Sequence, residues 1–339
     1  MTSNEETRAE AAAQSIISAI DLEDIDRDLY RSKELWKPGA GRGVFGGQII
    51  AQAAWAATKS VRRDEPGTEK GLHSLHCYFL NFGNADIPVL YAVQRLRDGR
   101  SYSTRTVLAT QAGSPIFSLT CSFSLPEPKQ PIRAIPLPRW PLKFTRTEED
   151  EDERADLGEK IPEPEECEST EDVLQKALGM AGTLPNKLRD YVERQIEERK
   201  LSSIEIRNTD KKDIGHIISF ERSASQQQLY WFRSRAPVMS DPAFQKCVLA
   251  YASDLNFIGT AARASGLGSA TRPRLGMLAS LDHSMFFYCD QLEVDDWMLF
   301  YMGSPVGKSG RGLVQGRIYK RDGTLAVVCV QEGVVRAAL

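Results

Sequence analysis

The sequence predicts an α+β protein built from two copies of one unit, in which a long helix accompanies an antiparallel sheet. A helix-like segment followed by strand-like segments with turn signals between them occurs twice, first at 46–125 and again at 247–337. A stretch of different composition separates the two occurrences. The chain has 339 residues, which is too long for one average domain, so two domains are expected.

The first unit is predicted to span residues 30–125, after an N-terminal arm of loose or helical character at 1–29. Residues 46–61 are small, apolar and free of proline, which is typical of a buried helix that packs closely on its neighbours. Four strand-like segments follow, and the turn-forming sequences RDGRS and QAGSP lie among them. The predicted strands cover residues 72–80, 88–99, 101–113 and 115–125.

Residues 126–200 are predicted to be a linker with a helical insertion. Six prolines occur from Pro126 to Pro141, and the acidic run EEDEDE follows at 148–153. Such a composition can bury little apolar surface, so we expect this part to be solvated and in part disordered. Residues 173–200 have a helical pattern with a break at Pro185.

The second unit, predicted at 201–339, repeats the pattern, with a helix at 247–265 and strand-like segments before and after it. A constant offset of 206 residues places Leu72–Leu75 on Leu278–Leu281. Sequence identity between the two units is low. The support for a repeat is therefore that the helix-like and strand-like segments of both units agree in order and spacing. We therefore expect two copies of one helix-plus-sheet domain.

Composition excludes several classes of function. The formal net charge of −3 gives no electrostatic reason to expect a nucleic-acid partner. No run of roughly 18 apolar residues occurs, so no stable membrane insertion is expected. The six cysteines form no C-x-x-C motif, so we predict no metal site and a reducing compartment. No cofactor is expected.

Two glycine-rich motifs imitate nucleotide-binding loops. Gly41, Gly43 and Gly46 spell G-x-G-x-x-G. The residues before them are polar and include Pro38, however, where a dinucleotide-binding fold needs an apolar strand. Residues 303–310 nearly match a P-loop, but their glycines are one residue too close together and a strand-like segment follows. We therefore interpret the first motif as a tight turn into a helix that packs closely on a sheet.

The sequence gives no specific support for a nucleophilic serine. No G-x-S-x-G motif occurs. His283 lies in the segment SLDHSMFF, but in a strand Ser280, Asp282 and Ser284 would share the face opposite to His283. We therefore interpret His283 as a half-buried strand residue, in preference to a member of a Ser-His-Asp triad.

Three polar residues of the second unit form a better candidate site. Asp254 lies in an almost uncharged helical segment, and burying a lone carboxylate is costly unless it is hydrogen-bonded or functional. Ser280 and Gln331 also lie in apolar surroundings, and together the three could bind and polarise water. A structural capping role of Asp254 is an equal alternative at this point. At the matching positions of the first unit the chain carries Gln48, Ser74 and Cys121.

Several long segments are similar to one family. They are GRGVFGGQIIAQAAWAA (41–57), LHSLHCYFLNFG (72–83), LRDGRSYSTRTVLATQAGSPIFSLTCSF (96–123), SDLNF (253–257), LASLDHSMFFY (278–288) and VQEGVVR (330–336). In this order they resemble the type II acyl-CoA thioesterases, a family found in bacteria and in eukaryotic peroxisomes. The resemblance covers both units and implies a double hot-dog fold, in which a sheet wraps a long central helix in each half.

The resemblance also implies the chemistry, which is hydrolysis of acyl-CoA to free fatty acid and coenzyme A without an acyl-enzyme. The Asp, the Thr or Ser and the Gln that hold the attacking water in the family fall on Asp254, Ser280 and Gln331. Amides at the helix start, at Gly46 and Gly47, are candidates for stabilising the oxyanion. Candidate partners for the coenzyme A phosphates are Arg100, Arg105, Lys308 and Arg311.

Two other functions stay open from the sequence. An enoyl-CoA hydratase of the hot-dog fold would favour an Asp–His pair, and Asp254 has no histidine within its helical segment. A non-catalytic acyl-CoA-binding protein would not need the intact polar set. The resemblance further implies a homo-oligomer, either a dimer or a tetramer. The compartment is expected to be peroxisomal or cytoplasmic, because the C-terminal Ala337-Ala338-Leu339 lacks the basic middle residue of a peroxisomal signal.

Overall fold

The computed structural model describes residues 16–39, 41–64, 66–137, 161–180, 186–209, 227–268 and 271–338. Within these residues all strand pairs are antiparallel and belong to one sheet. The elements of the first unit are β1 (Leu22–Asp26), β2 (Leu29–Ser32), α1 (Gly46–Asp64), β3 (Gly71–Phe79), β4 (Leu90–Asp98), β5 (Tyr102–Gln111) and β6 (Ser114–Ser124). The order of one helix before four strands agrees with the sequence prediction.

The N-terminal arm predicted at 1–29 joins the sheet from Leu22 onward. β1 pairs with β2, and β2 pairs with β4, so the two strands extend the edge of the first unit. Residues 16–20 are helical, and the side chains of Ile16 and Ile20 are completely buried. Residues 1–15 of the predicted arm lie outside the described ranges.

Small side chains let α1 lie inside the core. Ala51 and Ala54 are completely buried, and the helix contacts strands of the first unit as well as a second helix. Its buried polar residues have partners, since Gln48 and Gln52 donate to the carbonyl of Ala19 at 2.9 and 2.7 Å. Buried amide side chains with partners avoid the desolvation penalty of unpaired polar groups.

Between the units the chain forms β7 (Glu168–Ser169), α2 (Thr170–Met180) and α3 (Asn186–Leu201). The acidic run at 148–153 lies outside the described ranges. The expectation of a solvated linker is wrong for residues 161–167, because Trp231 Nε1 donates to the Pro162 carbonyl at 2.8 Å. The apolar cluster at this contact comprises Cys167, Leu229, Trp231, Trp297, Leu299, Tyr301 and Tyr319.

The second unit begins with two strands before its helices. Its elements are β8 (Ile204–Asn208), β9 (Gln227–Ser234), α4 (Pro242–Ser253), α5 (Phe257–Ala264), β10 (Leu275–Ser280), β11 (Asp282–Phe287), β12 (Met298–Lys308), β13 (Arg311–Lys320) and β14 (Leu325–Ala337). The strand order across the sheet is β1-β2-β4-β5-β6-β3-β11-β14-β13-β12-β9-β8-β7, and β10 also pairs with β14. The pairing of β3 with β11 therefore joins the two units into one sheet.

The single helix predicted at 247–265 is two helices. α4 begins earlier, where Asp241 accepts the Ala243 amide at 3.0 Å and Pro242 occupies the first turn. It ends at Ser253, and Asn256 then adopts a left-handed conformation with φ of 59°, which an α-helix cannot continue. Asp254 consequently lies in the break between two helices.

The offset of 206 residues is close to the spacing of the strands, since β12 begins 208 residues after β4 (298 − 90), but it does not fit the helices. α1 begins at Gly46 and α4 at Pro242, so Gln48 lies in the first turn of its helix. Asp254 instead follows the last turn of α4. The alignment of Gln48 with Asp254 is therefore wrong, because α5 lengthens the path from helix to strand in the second unit.

The helices α1 and α4 lie side by side and run antiparallel. Arg62, near the end of α1, pairs with Asp241, just before α4, at 2.6 Å. Near the middle of α1 the ring of Trp55 packs edge-on against Phe244 in the first turn of α4, with 5.2 Å between the centroids. The start of α1 therefore lies against the end of α4. No helix in the described ranges is long and apolar enough to span a membrane.

Candidate active site

The three polar residues predicted from the second unit meet at the junction of the two units. Asp254 follows α4, Ser280 ends β10, and Gln331 lies in the middle of β14. Gln331 Nε2 donates to Asp254 Oδ1 at 2.8 Å and to Ser280 Oγ at 2.9 Å. Gln331 is completely buried, so its amide links the two other groups inside the protein.

The amide of Gln331 keeps one polar atom without a partner. Both observed hydrogen bonds use Nε2, and among the described residues Oε1 is buried with no donor in reach. A buried unpaired acceptor is costly unless water or a ligand satisfies it. The site therefore contains two acceptors that could take a hydrogen bond from water, the Asp254 carboxylate and the Gln331 carbonyl oxygen.

The start of α1 completes the site from the first unit. The amide of Gly47 donates to the carboxylate of Asp254. A methyl group on Gly46 would lie 2.6 Å from Asp254 Oδ2, and one on Gly47 would lie 2.4 Å from the carbonyl oxygen of Tyr251. These glycines are thus required by the close approach of α1 to the end of α4, and not by a phosphate.

The surroundings of Asp254 bring the pKa of its carboxyl close to neutral pH. Burial raises the pKa of the carboxyl, and the hydrogen bonds from Gln331 and Gly47 lower it in part. The resulting pKa is about 6. A carboxylate with this pKa is ionised at neutral pH and still accepts a proton readily. Asp254 is therefore suited to act as a general base.

The four basic residues predicted to hold phosphates fall into two groups. Arg105 is 1 % exposed, and its guanidinium donates to Ser60 Oγ at 3.1 Å and to Asp98 Oδ1 at 2.6 Å. The structure does not support Arg105 as a phosphate ligand, because it is committed to partners inside the first unit. The exposed residues of the set are Arg100, Lys308 and Arg311.

The opposite end of the helix pair shows why the chain has one such site in the described residues. There the side chain of Asp241 caps α4, Pro242 has no amide hydrogen, and Arg62 holds Asp241 with two hydrogen bonds at 2.6 and 2.7 Å. The start of α4 is thus closed, whereas the start of α1 offers glycine amides.

The sequence predicts Gly46 and Gly47 of the first unit as oxyanion donors, but not their contact with Asp254 and the end of α4. The repeat alignment compared the units with each other and did not predict that the start of α1 touches the end of α4. The signal that could have indicated the contact is the pair Gly46-Gly47 at a helix start, where glycine is unfavourable unless another group approaches.

Comparison with known families covers both units of the chain. Residues 33–124 match the model of the acyl-CoA thioesterase N-terminal domain, and residues 183–335 match that of the C-terminal domain. The chain is 36% identical over 323 residues to acyl-coenzyme A thioesterase 8 of Rattus norvegicus, covering 95% of this chain and 89% of the relative. The chain belongs to the type II acyl-CoA thioesterase family.

Other members of the family extend the comparison to bacteria and to a crystal structure. Acyl-CoA thioesterase 2 of Haemophilus influenzae is 31% identical over 325 residues, covering 95% of this chain and 97% of the relative. An acyl-CoA thioesterase II from Mycobacterium marinum superposes with a TM-score of 0.66 at 28% identity, covering 95% of this chain and 98% of that one. The predicted double hot-dog fold is thereby confirmed.

Proposed function

We propose that the protein hydrolyses fatty acyl-CoA thioesters to free fatty acids and coenzyme A. The observation that carries the proposal is the hydrogen-bonded set of Asp254, Gln331 and Ser280 beside the start of α1. The names of the family relatives, which are acyl-CoA thioesterases, support the same substrate class.

The proposed reaction is a direct attack of water. Water donates one hydrogen to Asp254 and the other to Gln331 Oε1, while Ser280 fixes the orientation of the glutamine amide. As Asp254 takes the proton, the water oxygen bonds to the thioester carbonyl carbon. The C–S bond then breaks, the thiolate of coenzyme A leaves, and the proton passes from Asp254 to the thiolate or to solvent. No acyl-enzyme forms.

The start of α1 is proposed to stabilise the oxyanion. Since the Gly47 amide is engaged with Asp254, the Gly46 amide is the proposed donor to the thioester oxygen. The positive end of the helix dipole favours negative charge at the same place. A thiolate is a good leaving group, so no strong general acid is required. Arg100, Lys308 and Arg311 remain the proposed phosphate partners.

The activity test follows thiol release from a series running from butyryl-CoA to stearoyl-CoA. We expect thiol release from at least part of the series and incorporation of one ¹⁸O atom into the fatty acid in labelled water. Mass spectrometry during turnover should detect no acyl adduct on the protein. Absence of thiol release across the series would contradict the proposal. With an enoyl-CoA as substrate, loss of the enoyl-thioester absorbance would then indicate a hydratase. Tight binding of acyl-CoA without turnover would indicate a binding protein.

The pH dependence of turnover should report Asp254. Because the base must be ionised, we expect kcat/KM to fall below an apparent pKa of about 6 and to lose about tenfold per pH unit under it. Measurement with one acyl-CoA from pH 4.5 to 8 at constant ionic strength tests this. A kcat/KM that stays nearly constant down to pH 4.5, as a carboxyl with the ordinary pKa of 3.8 would give, would contradict the role assigned to Asp254.

Two finer expectations are also proposals. We propose a homo-oligomer, a dimer or a tetramer, and its support is the row of exposed apolar residues on the sheet of the first unit, including Tyr78, Leu90 and Leu108. Light scattering coupled to size-exclusion chromatography measures the mass directly. The compartment, peroxisomal or cytoplasmic, is decided by whether a fluorescent fusion co-localises with a peroxisomal marker.

A further inference from the structure

Asp254 is the C-cap of α4 and the first of three residues between α4 and α5, so the regular hydrogen-bond pattern of neither helix continues past it. The two residues beside it are instead held by buried polar side chains from the sheet. His283 of β11 contacts Ser253, and Tyr230 of β9 contacts Leu255. Neither contact reaches the carboxylate itself, which leaves both side chains outside the proposed reaction.

The contact before Asp254 joins β11 to the last residue of α4. His283 Nε2 lies 3.1 Å from Ser253 Oγ, and the Ser253 hydroxyl donates to the Ala250 carbonyl at 2.9 Å. Since the hydroxyl hydrogen has this acceptor, Nε2 carries a hydrogen and donates it to Ser253. Nδ1 is then an acceptor, and it has no partner among the described residues. Both His283 and Ser253 are completely buried, in contrast to the half-buried histidine predicted from the sequence.

The contact after Asp254 joins β9 to the break between the helices. The Tyr230 hydroxyl donates to the carbonyl of Leu255 at 2.8 Å. Tyr230 is 1 % exposed and its ring packs edge-on against Phe300, so the hydroxyl has little freedom to move. The residues on both sides of Asp254 are consequently tied to strands of the same sheet that carries Gln331.

His283 and Tyr230, which anchor the two residues beside Asp254, are both uncharged in the folded protein. Burial lowers the pKa of His283 to about 3 and raises the pKa of Tyr230 well above its ordinary value. The Cys77 thiol of β3 donates to the His283 carbonyl at 3.3 Å, and burial followed by the charge of Asp254 raises its pKa as well. Of these groups, Asp254 is therefore the one that titrates near pH 6.

We propose that His283 and Tyr230 are positioning residues, which hold Asp254 against Gln331 and the Gly47 amide by fixing Ser253 and Leu255. The inference rests on the proposed thioesterase function. Release of either anchor lets the carboxylate move away from two donors that lower its pKa, so misplacement both slows turnover and shifts the acid limb upward. A displacement of about 1 Å at a reacting group costs on the order of 100-fold in rate.

The first test compares two variants of His283 with nearly equal polarity. His283→Gln places an amide nitrogen where Nε2 lies and keeps a donor for Ser253, whereas the side chain of His283→Asn is too short to reach it. We expect His283→Asn to lower kcat about 10- to 100-fold with KM unchanged and to raise the apparent pKa of the acid limb. His283→Gln should stay within about threefold of wild-type kcat and keep the wild-type limb.

The second test removes one oxygen atom. Tyr230→Phe should lower kcat about tenfold with KM unchanged and move the acid limb in the same direction. Tyr319→Phe is the matched control, because this buried hydroxyl also donates to a backbone carbonyl, that of Pro136 at 3.3 Å, remote from Asp254. It should retain wild-type kcat. Thermal melts of all variants show which of them are folded.

The outcomes separate this inference from the proposed function. Wild-type protein that releases no thiol refutes the function, and the inference with it. If the wild type is active, wild-type kcat and acid limb in both His283→Asn and Tyr230→Phe overturn the positioning roles alone. Equal impairment of His283→Gln and His283→Asn overturns the role of the Nε2 donor. If His283→Asn does not fold, Tyr230→Phe decides.

Discussion

Asp254→Asn should lower kcat by about 10²- to 10⁴-fold, the range that a general base contributes, and leave the protein folded. The asparagine oxygen can still accept from Gln331 Nε2, so the link between β14 and the end of α4 is preserved. The proton acceptor, however, is lost. Thiol release under saturating acyl-CoA measures the change, and binding of acyl-CoA should persist.

The same substitution should change the pH dependence of stability. The unfolded chain loses the Asp254 proton near pH 3.8, whereas the folded protein holds it until about pH 6. Stability therefore falls as pH rises through this window, by about 3 kcal/mol in total for the shift of the pKa. Asp254→Asn removes this penalty above pH 6. The asparagine amide nitrogen cannot accept from Gly47, which offsets part of the gain.

Urea unfolding at pH 8, 5 and 4 checks the stability effect. We expect Asp254→Asn to be more stable than wild type at pH 8, and the difference to vanish toward pH 4. Asp322→Asn is the control for activity, because the exposed Asp322 lies in the turn between β13 and β14, where its carboxylate accepts the Thr324 amide at 2.8 Å. Turnover of Asp254→Asn within threefold of wild type would remove the residue from the mechanism.

Gly47→Ala should have the largest effect on the fold near the site, a loss of about 3 kcal/mol in the free energy of unfolding. Its methyl group would lie 2.4 Å from the carbonyl oxygen of Tyr251 and 2.6 Å from the ring of Phe45. A backbone carbonyl inside a helix cannot rotate away, so α1 and α4 must separate. The Gly47 amide then moves from Asp254, and kcat should fall about 10- to 100-fold.

Gly259→Ala is the matched control for that substitution. Gly259 also lies in a helix, α5, but a methyl group there would meet no atom within 4 Å. Alanine in a helix with free space stabilises by about 0.5–1 kcal/mol relative to glycine. Chemical denaturation should therefore show a lower free energy of unfolding for Gly47→Ala than for wild type and a higher one for Gly259→Ala. Equal stability of Gly47→Ala and wild type would contradict the close approach of the two helices.

The strands and the polar set could be predicted because the signals are local. Alternation of buried and exposed residues and turn sequences such as RDGRS locate β4 and β5 within a few residues. Asp254, Ser280 and Gln331 are polar residues in apolar segments, which is visible in the sequence. The hydrogen bonds from Gln331 to Asp254 and Ser280 join separate elements of the fold. No local sequence pattern predicts them.

The helices and the basic residues were harder for identifiable reasons. The segment 247–265 is continuously apolar and small, so its composition hides the break that the left-handed Asn256 introduces. Arg105 is predicted as a phosphate partner, although the alternation in β5 puts it on the same face as the buried Val107 and Ala109. A charged residue in phase with buried neighbours indicates an internal ion pair, here with Asp98.

The closed start of α4 shows how the two units of one chain can differ from each other at equivalent positions. In a symmetric dimer of single units every substitution occurs twice, so a proline at one helix start would block both. Joining the two units in one chain removes that constraint. Pro242 and the Arg62–Asp241 pair occupy one start as a clamp between the helices, while Gly46 and Gly47 keep the other open. One helix start thus holds the two helices together, and the other stays free for the oxyanion contact proposed for the Gly46 amide.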